Sequence, residues 1–345
     1  MRPFGFARAF GAALIVSTLA CAPRASERSR FDSVSELEGL AFVPAADFAL
    51  EPAILPFADL SVPEPLVLDL FELTRGELHR LFREHAPGRR PLADTYDWKS
   101  EAGLRRDADD WPAFLSWREA KEVAGWRGMR LPTAREWLHV AVGRRGLRHP
   151  WGADQASLAN TEELGVGVPT PVGTFENGRS RPFGCYDMAG NVWEWVADAV
   201  PGFHDTKQDL AETNGELRGT GIDGERRVSA LGGAFDALGE PTYDTIPRQG
   251  YSSFFFHARR LDPDSLGPSV GVRMCAPAKE YLWTHAGSWS SADDAPERVR
   301  AVARRWAADP TARAGLIALL EELQARPGAP EELGWLREGA SEEGP

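Results

Sequence analysis

Three cysteines in 345 residues are too few for a disulfide framework, so a hydrophobic core has to hold this chain together. There is no basic run. The formal net charge of −12 and a pI near 5.2 leave no electrostatic footprint for nucleic acid. No stretch approaches the roughly 20 apolar residues that a bilayer-spanning helix needs. Also missing are a Ser-His-Asp order, a nucleophile elbow, a phosphate-binding loop, a paired-carboxylate arrangement and any internal repeat. The seven histidines are scattered, with no pair at ligand spacing on one helix. What remains is an ordinary globular composition, 43% hydrophobic and 26% charged, long enough for one large domain or two of average size.

The N-terminus has the pattern of an export signal. Arg2 and Arg8 precede a short apolar run over 10–16, then small residues and Cys21. Thr18-Leu19-Ala20-Cys21 resembles a bacterial lipobox, with Thr18 where leucine is usual, and implies lipidation at Cys21. Ala20-Cys21-Ala22 reads alternatively as an ordinary cleavage site. Either way the expectation is an exported chain. With lipidation it becomes a lipoprotein of the bacterial cell envelope, facing the periplasm or the exterior and touching the membrane only through its anchor. Residues 22–37, polar and charged, read as a tether.

Further along, 40–44 and 47–50 read as short strands and 66–71 as a stronger one. Three helix starts carry the same signature. Thr74, Ser116 and Thr133 each stand three residues before Glu77, Glu119 and Glu136, the spacing of a capping box. From 153 to 232 the chain is dense in Gly, Pro and Asn, without helical periodicity. Residues 295–323 read as one or two helices, and the Pro-, Gly- and Glu-rich end from Arg326 reads as frayed.

The stretch 184–195, Gly-Cys-Tyr-Asp-Met-Ala-Gly-Asn-Val-Trp-Glu-Trp, organises the rest. Gly190 and Asn191 weaken a helix, so it reads as a tight turn anchored by Trp193 and Trp195. Asp187 and Glu194 are hard oxygen ligands, and the turn between them offers carbonyls, a composition suited to calcium. The same carboxylates can instead cap nearby backbone amides.

Taken together, the ordered motifs carry a resemblance. Phe42-Val43-Pro44, Phe71-Glu72-Leu73-Thr74 and Ser116-Trp117 lead to Arg130-Leu131-Pro132-Thr133 and Glu136-Trp137. Pro150-Trp151-Gly152, Asn160, Pro171-Val172-Gly173, the 184–195 turn, Gly232-Gly233 and Gly271-Val272-Arg273 follow. The series resembles the formylglycine-generating enzyme, or sulfatase-modifying factor, family. The resemblance implies a loop-rich α+β domain over 38–277, a variant of the C-type-lectin fold, followed by a helical C-terminal extension over 278–345. It also implies a structural calcium held by Asp187 and Glu194 side chains with Gly190 and Val192 backbone oxygens, and a second site beginning at Asn160.

The departure is in the chemistry. Formylglycine-making members hold copper with two cysteines between the Gly-Gly and Gly-x-Arg strands, and here 234–269 contains none. Cys275 matches a family disulfide cysteine whose partner position is Ala124, and Cys185 falls where an apolar residue is usual. Within the family's substrate-groove segment, Tyr251, Phe255, His257, Arg259 and Arg260 form a candidate binding groove, since aromatic and Arg side chains anchor peptide and protein interfaces. The same Phe254-Phe255-Phe256 run reads equally as core strand. The expectation is a non-catalytic, calcium-stabilised scaffold for a protein, a peptide or another envelope component. The alternative is an oxidase or oxygenase using copper or iron through other ligands, with His204, His257, Asp236 and Asp244 converging.

Overall fold

The computed structural model describes residues 33–46, 61–95, 109–143, 149–152, 158–181, 183–198, 228–235, 259–266, 269–291 and 293–342. The leader with Cys21 and the strand expected over 47–50 lie outside these residues. The elements of the domain are α1 (Ser33–Glu38), β1 (Leu40–Val43), β2 (Leu66–Asp69), α2 (Arg75–His85), α3 (Trp117–Trp126) and α4 (Ala134–Val142). They continue with β3 (Trp193–Trp195), β4 (Val228–Leu231), β5 (Arg259–Leu261), β6 (Val270–Gly271) and β7 (Cys275–Pro277). The extension adds α5 (Ala278–His285), α6 (Ala295–Trp306), α7 (Pro310–Gln324) and α8 (Glu332–Ser341). Mixed helix and sheet with long loops between is the α+β class expected from the sequence.

Two small sheets carry the architecture. In the first, β1 and β2 pair antiparallel with Leu40 opposite Asp69, and β2 pairs antiparallel with β7, Leu66 opposite Pro277. The second runs β5-β4-β3-β6, with β3 and β6 parallel. Every residue of β1 and β2 is buried, on both faces. One face, with Phe42 and Val67, joins a core containing Trp306, Leu316 and Leu320 of the extension. The other, with Ala41, Val43, Leu66 and Leu68, packs on Trp137 and Leu138 of α4. A short apolar run without alternation is what a strand covered on both sides requires.

The three expected caps are present, in two forms. Thr133 accepts from the Glu136 amide and the Glu136 carboxylate returns to the Thr133 amide, a complete capping box. Thr74 and Ser116 accept from the Glu77 and Glu119 amides, but those two carboxylates face other partners. Glu77 lies 3.6 Å from the Arg127 guanidinium and Glu119 accepts from the Leu92 amide. The spacing predicts the cap and cannot see the competing donor.

Two boundaries change. Residues 33–37, expected in the tether, belong to α1, whose Val34 and Leu37 are fully buried against the extension. The end beyond Arg326, expected to fray, contains α8, with Leu333, Leu336 and Ala340 buried. Gly339 permits that contact: a Cβ there would lie 2.4 Å from the Arg300 carbonyl of α6. A break at Asp309 divides α6 from α7. Its carboxylate caps the Thr311 and Ala312 amides, and Pro310 follows at the first helical position. The extension also closes a sheet edge, since Arg305 and the Trp306 indole donate to the Leu40 carbonyl of β1 at 2.8 and 2.9 Å. No helix among the described residues is long and apolar enough to cross a membrane.

Candidate functional site

The 184–195 turn is tied to the end of β2, where the Tyr186 amide donates to the Leu70 carbonyl, runs into β3, and holds itself by backbone geometry. Asp187 and Asn191 adopt positive φ, 53° and 59°, in the left-handed region that Asp and Asn tolerate better than most residues. Gly190, at φ 80°, lies so close to the Asn160 carbonyl that a Cβ would come within 2.4 Å of it. The Asn191 amide donates to that carbonyl at 2.8 Å, and the Asn191 side-chain oxygen accepts from the Thr170 amide at 2.9 Å. Asn160, expected to begin a second site, is thereby brought onto the turn.

Beneath the turn lies a buried ion cluster. Arg273, 0% exposed, donates from Nε and Nη2 to Glu194 Oε2 and Oε1 at 2.9 and 2.7 Å. Its remaining donors reach the Asp69 and Tyr186 carbonyls. The Trp137 indole donates to Glu194 Oε2 at 2.7 Å. Burial works against the guanidinium charge, but the facing Glu194 carboxylate outweighs it and raises the Arg273 pKa. Glu72, from the Phe71-Glu72-Leu73-Thr74 motif, completes the cluster. Its Oε2 accepts from Asn191 Nδ2 at 2.6 Å and its Oε1 from the Val192 amide at 3.2 Å. Burial first, then the Asp187 and Glu194 charges, holds the Glu72 carboxyl well above its usual range. Asp187 Oδ2 accepts from the Gly173 amide at 2.7 Å, and burial raises its carboxyl to about 6. An acidic residue between Phe71 and Leu73, in a segment otherwise destined for the core, was the available signal for Glu72.

Of the expected ligands, Asp187, Gly190, Val192, Glu194 and Asn160 are brought together around this one turn. Glu194 also has protein partners. Both its oxygens accept from Arg273, one of them also from Trp137, because a buried guanidinium demands a counter-ion. Three carboxylates share one arginine here, and Asn160 Oδ1 and Thr161 Oγ1 are buried without a hydrogen-bond partner. Crowded carboxyl groups whose ionisation burial disfavours, beside unpartnered oxygens, suit a hard cation as counter-charge. Among the described residues no three His, Cys, Asp or Glu side chains converge in metal-holding geometry. A cation at this turn therefore relies on carbonyl and amide oxygens besides Asp187.

Cys185 and Cys275 are free and fully buried. Burial pushes the Cys185 thiol up to about 12 and the Cys275 thiol well above its ordinary value. Tyr251, Phe255 and His257 of the expected groove lie outside the described residues, as do His204, Asp236 and Asp244. Arg259 and Arg260 fall on β5, the edge strand of the second sheet.

The profile of the sulfatase-modifying factor enzyme 1-like domain matches residues 26–278. The chain is 33% identical over 116 residues to the inactive C-alpha-formylglycine-generating enzyme 2 of Bos taurus, covering 29% of this chain and 38% of that protein. It is 43% identical over 98 residues to the hercynine oxygenase of Mycolicibacterium smegmatis, covering 25% of this chain and 22% of that one. The matched stretches thus span well under half of these relatives. Among solved structures, PvdO from Pseudomonas aeruginosa aligns with a TM-score of 0.48 at 21% identity, over 68% of this chain and 93% of its own.

Proposed function

Because the chain belongs to the sulfatase-modifying factor enzyme 1-like family, we propose that it is a non-catalytic, calcium-stabilised binding or scaffold protein of the cell envelope. The observation that carries this reading is the missing thiolate pair. No cysteine stands between the Gly232-Gly233 and Gly271-Val272-Arg273 strands, where family enzymes hold copper. Cys185 and Cys275 are buried and held protonated, and a buried neutral thiol is neither a soft ligand nor a nucleophile. The bovine relative's name, an inactive formylglycine-generating enzyme, supports a member that keeps the fold without the reaction.

In this reading the cation is structural. Asp187 and Asn160 side chains with Gly190 and Val192 carbonyls hold calcium, which offsets the surplus carboxylate charge beneath the turn. Glu194 acts from one step back, fixing Arg273. The ligand-binding face is the aromatic and Arg segment ending at β5, and its occupant is a protein, a peptide or another envelope component. Lipidation at Cys21 would hold the domain at the membrane.

Elemental analysis of chelator-free protein, followed by calcium, copper(I) and iron(II) titration, tests the proposal. Calcium near one per chain, lost in Asp187→Ala, is the expected result. Copper or iron bound tightly and retained in that variant overturns it, and favours the oxidase or oxygenase reading to which the hercynine oxygenase similarity points.

A further inference from the structure

Between α2 and α3 the chain passes through a strap over 86–95, ending in a single 3-10 turn, Leu92–Thr95. Three side-chain clasps hold it. His79 on α2 meets Asp94 at 3.1 Å. Glu122 on α3 receives both terminal nitrogens of Arg89, at 2.6 and 3.0 Å, while that guanidinium lies 5.6 Å from the Phe82 ring centroid. The third clasp is Glu119, whose Oε1 accepts the Leu92 amide at 2.8 Å. This is the carboxylate that abandons the capping box of α3.

Glu119 differs from the other two clasps. It is 8% exposed, and its second oxygen is buried with no hydrogen-bond partner. The charged groups that bear on it are Arg89 and Asp94 on the strap and Glu122 on its own helix. Glu122 takes both terminal nitrogens of Arg89, so the strap's cation is spent on the neighbouring carboxylate. An ionised carboxylate with one oxygen unpaired in a dry position is penalised more than the same group protonated, and this burial outweighs the Leu92 amide bond, which favours the ionised form. The geometry points to Glu119 as a proton-operated clasp: we infer that protonation tightens the strap against α3 and ionisation loosens it.

The sign follows from the direction of the shift. Burial is the leading cause that raises Glu119 from an ordinary 4.5 to about 6. A group whose carboxyl is raised in the closed state stabilises that state below its solvated pKa and loses the contribution as pH climbs through the closed-state value. The strap is therefore held hardest near pH 4.5 and loosest above about 6, and the interval between those values corresponds to roughly 30-fold in the closed-to-open ratio. This holds whether or not the turn at 184–195 binds calcium.

Hydrogen exchange of the Leu92 amide in the full-length protein, corrected for intrinsic exchange and followed from pH 4.5 to 7.5, tests it. Protection should fall roughly 30-fold across the range in wild type. With the His79–Asp94 clasp removed by His79→Gln, adding Glu119→Gln should give a flat profile. Glu122→Gln, which frees Arg89 for Glu119, should reduce the slope. A flat wild-type profile, or a slope that persists in the His79→Gln, Glu119→Gln double variant, overturns the inference. Should Glu119→Gln fail to fold, the Glu119 carboxyl carbon can be titrated by NMR in wild type. A midpoint near 6 supports the clasp and one at or below 4.5 sinks it.

Discussion

Arg273 and Glu194 are the pair on which the interior depends, because neither can be removed without stranding the other. Arg273→Met leaves Glu194 buried with only the Trp137 indole as donor, and should cost about 3–5 kcal/mol in urea unfolding, the usual penalty for breaking a buried pair. Replacing both by apolar residues of similar volume should cost distinctly less, since no charge is then stranded. The cysteines give a second check at this scale. Cys185 and Cys275 should resist a thiol reagent at pH 8 in the folded protein and react fully in denaturant, because burial rather than a disulfide protects them. Reaction of either thiol in the native state at rates typical of a free cysteine would contradict the structure.

At the scale of elements, α4 has a complete capping box and almost every residue buried. Thr133→Ala should lower stability by about 1 kcal/mol, measured as a shift in the denaturation midpoint. Gly339 on α8 carries a sharper constraint. Gly339→Ala places a methyl 2.4 Å from the Arg300 carbonyl, so α8 must move off α6. The expected result is a loss larger than the approximately 1 kcal/mol that alanine would otherwise add to a helix interior. A neutral or stabilising outcome would mean that the two helices do not pack as closely as described.

For the whole molecule, the extension is part of the fold and not an appendage. It covers one face of the first sheet, receives α1 and closes the free edge at Leu40. A chain ending at Pro277 would expose Phe42, Val67 and Leu37 together. It should be recovered as aggregate or as a non-cooperative species by thermal melting, although the family match itself ends at residue 278. A soluble, cooperatively melting truncation would refute this account of the core.

Much of this was legible from residues alone. The three N-caps, the short apolar strands and the tight turn over 184–195 follow from local sterics and hydrogen-bond needs, and local rules act within a few residues. The thiol-poor segment over 234–269 needs no geometry either, since a ligand absent from the sequence cannot be assembled by folding. Other features were decided only in three dimensions. Glu77, Glu119 and Glu136 stand at the same offset from their caps, yet only Glu136 closes the box. The others meet Arg127 and the Leu92 amide, donors delivered by distant segments. That Glu194 would meet Arg273, 79 residues away, could not be read from the chain. The end after Arg326 has the composition of a frayed tail and becomes α8, because burial of Leu333 and Leu336 against α6 outweighs weak local propensity. Local backbone energetics were determined by the sequence itself. The partner that each buried charge and each apolar stripe would find was decided by long-range packing, where a single tertiary contact outweighs a few tenths of a kcal/mol of propensity.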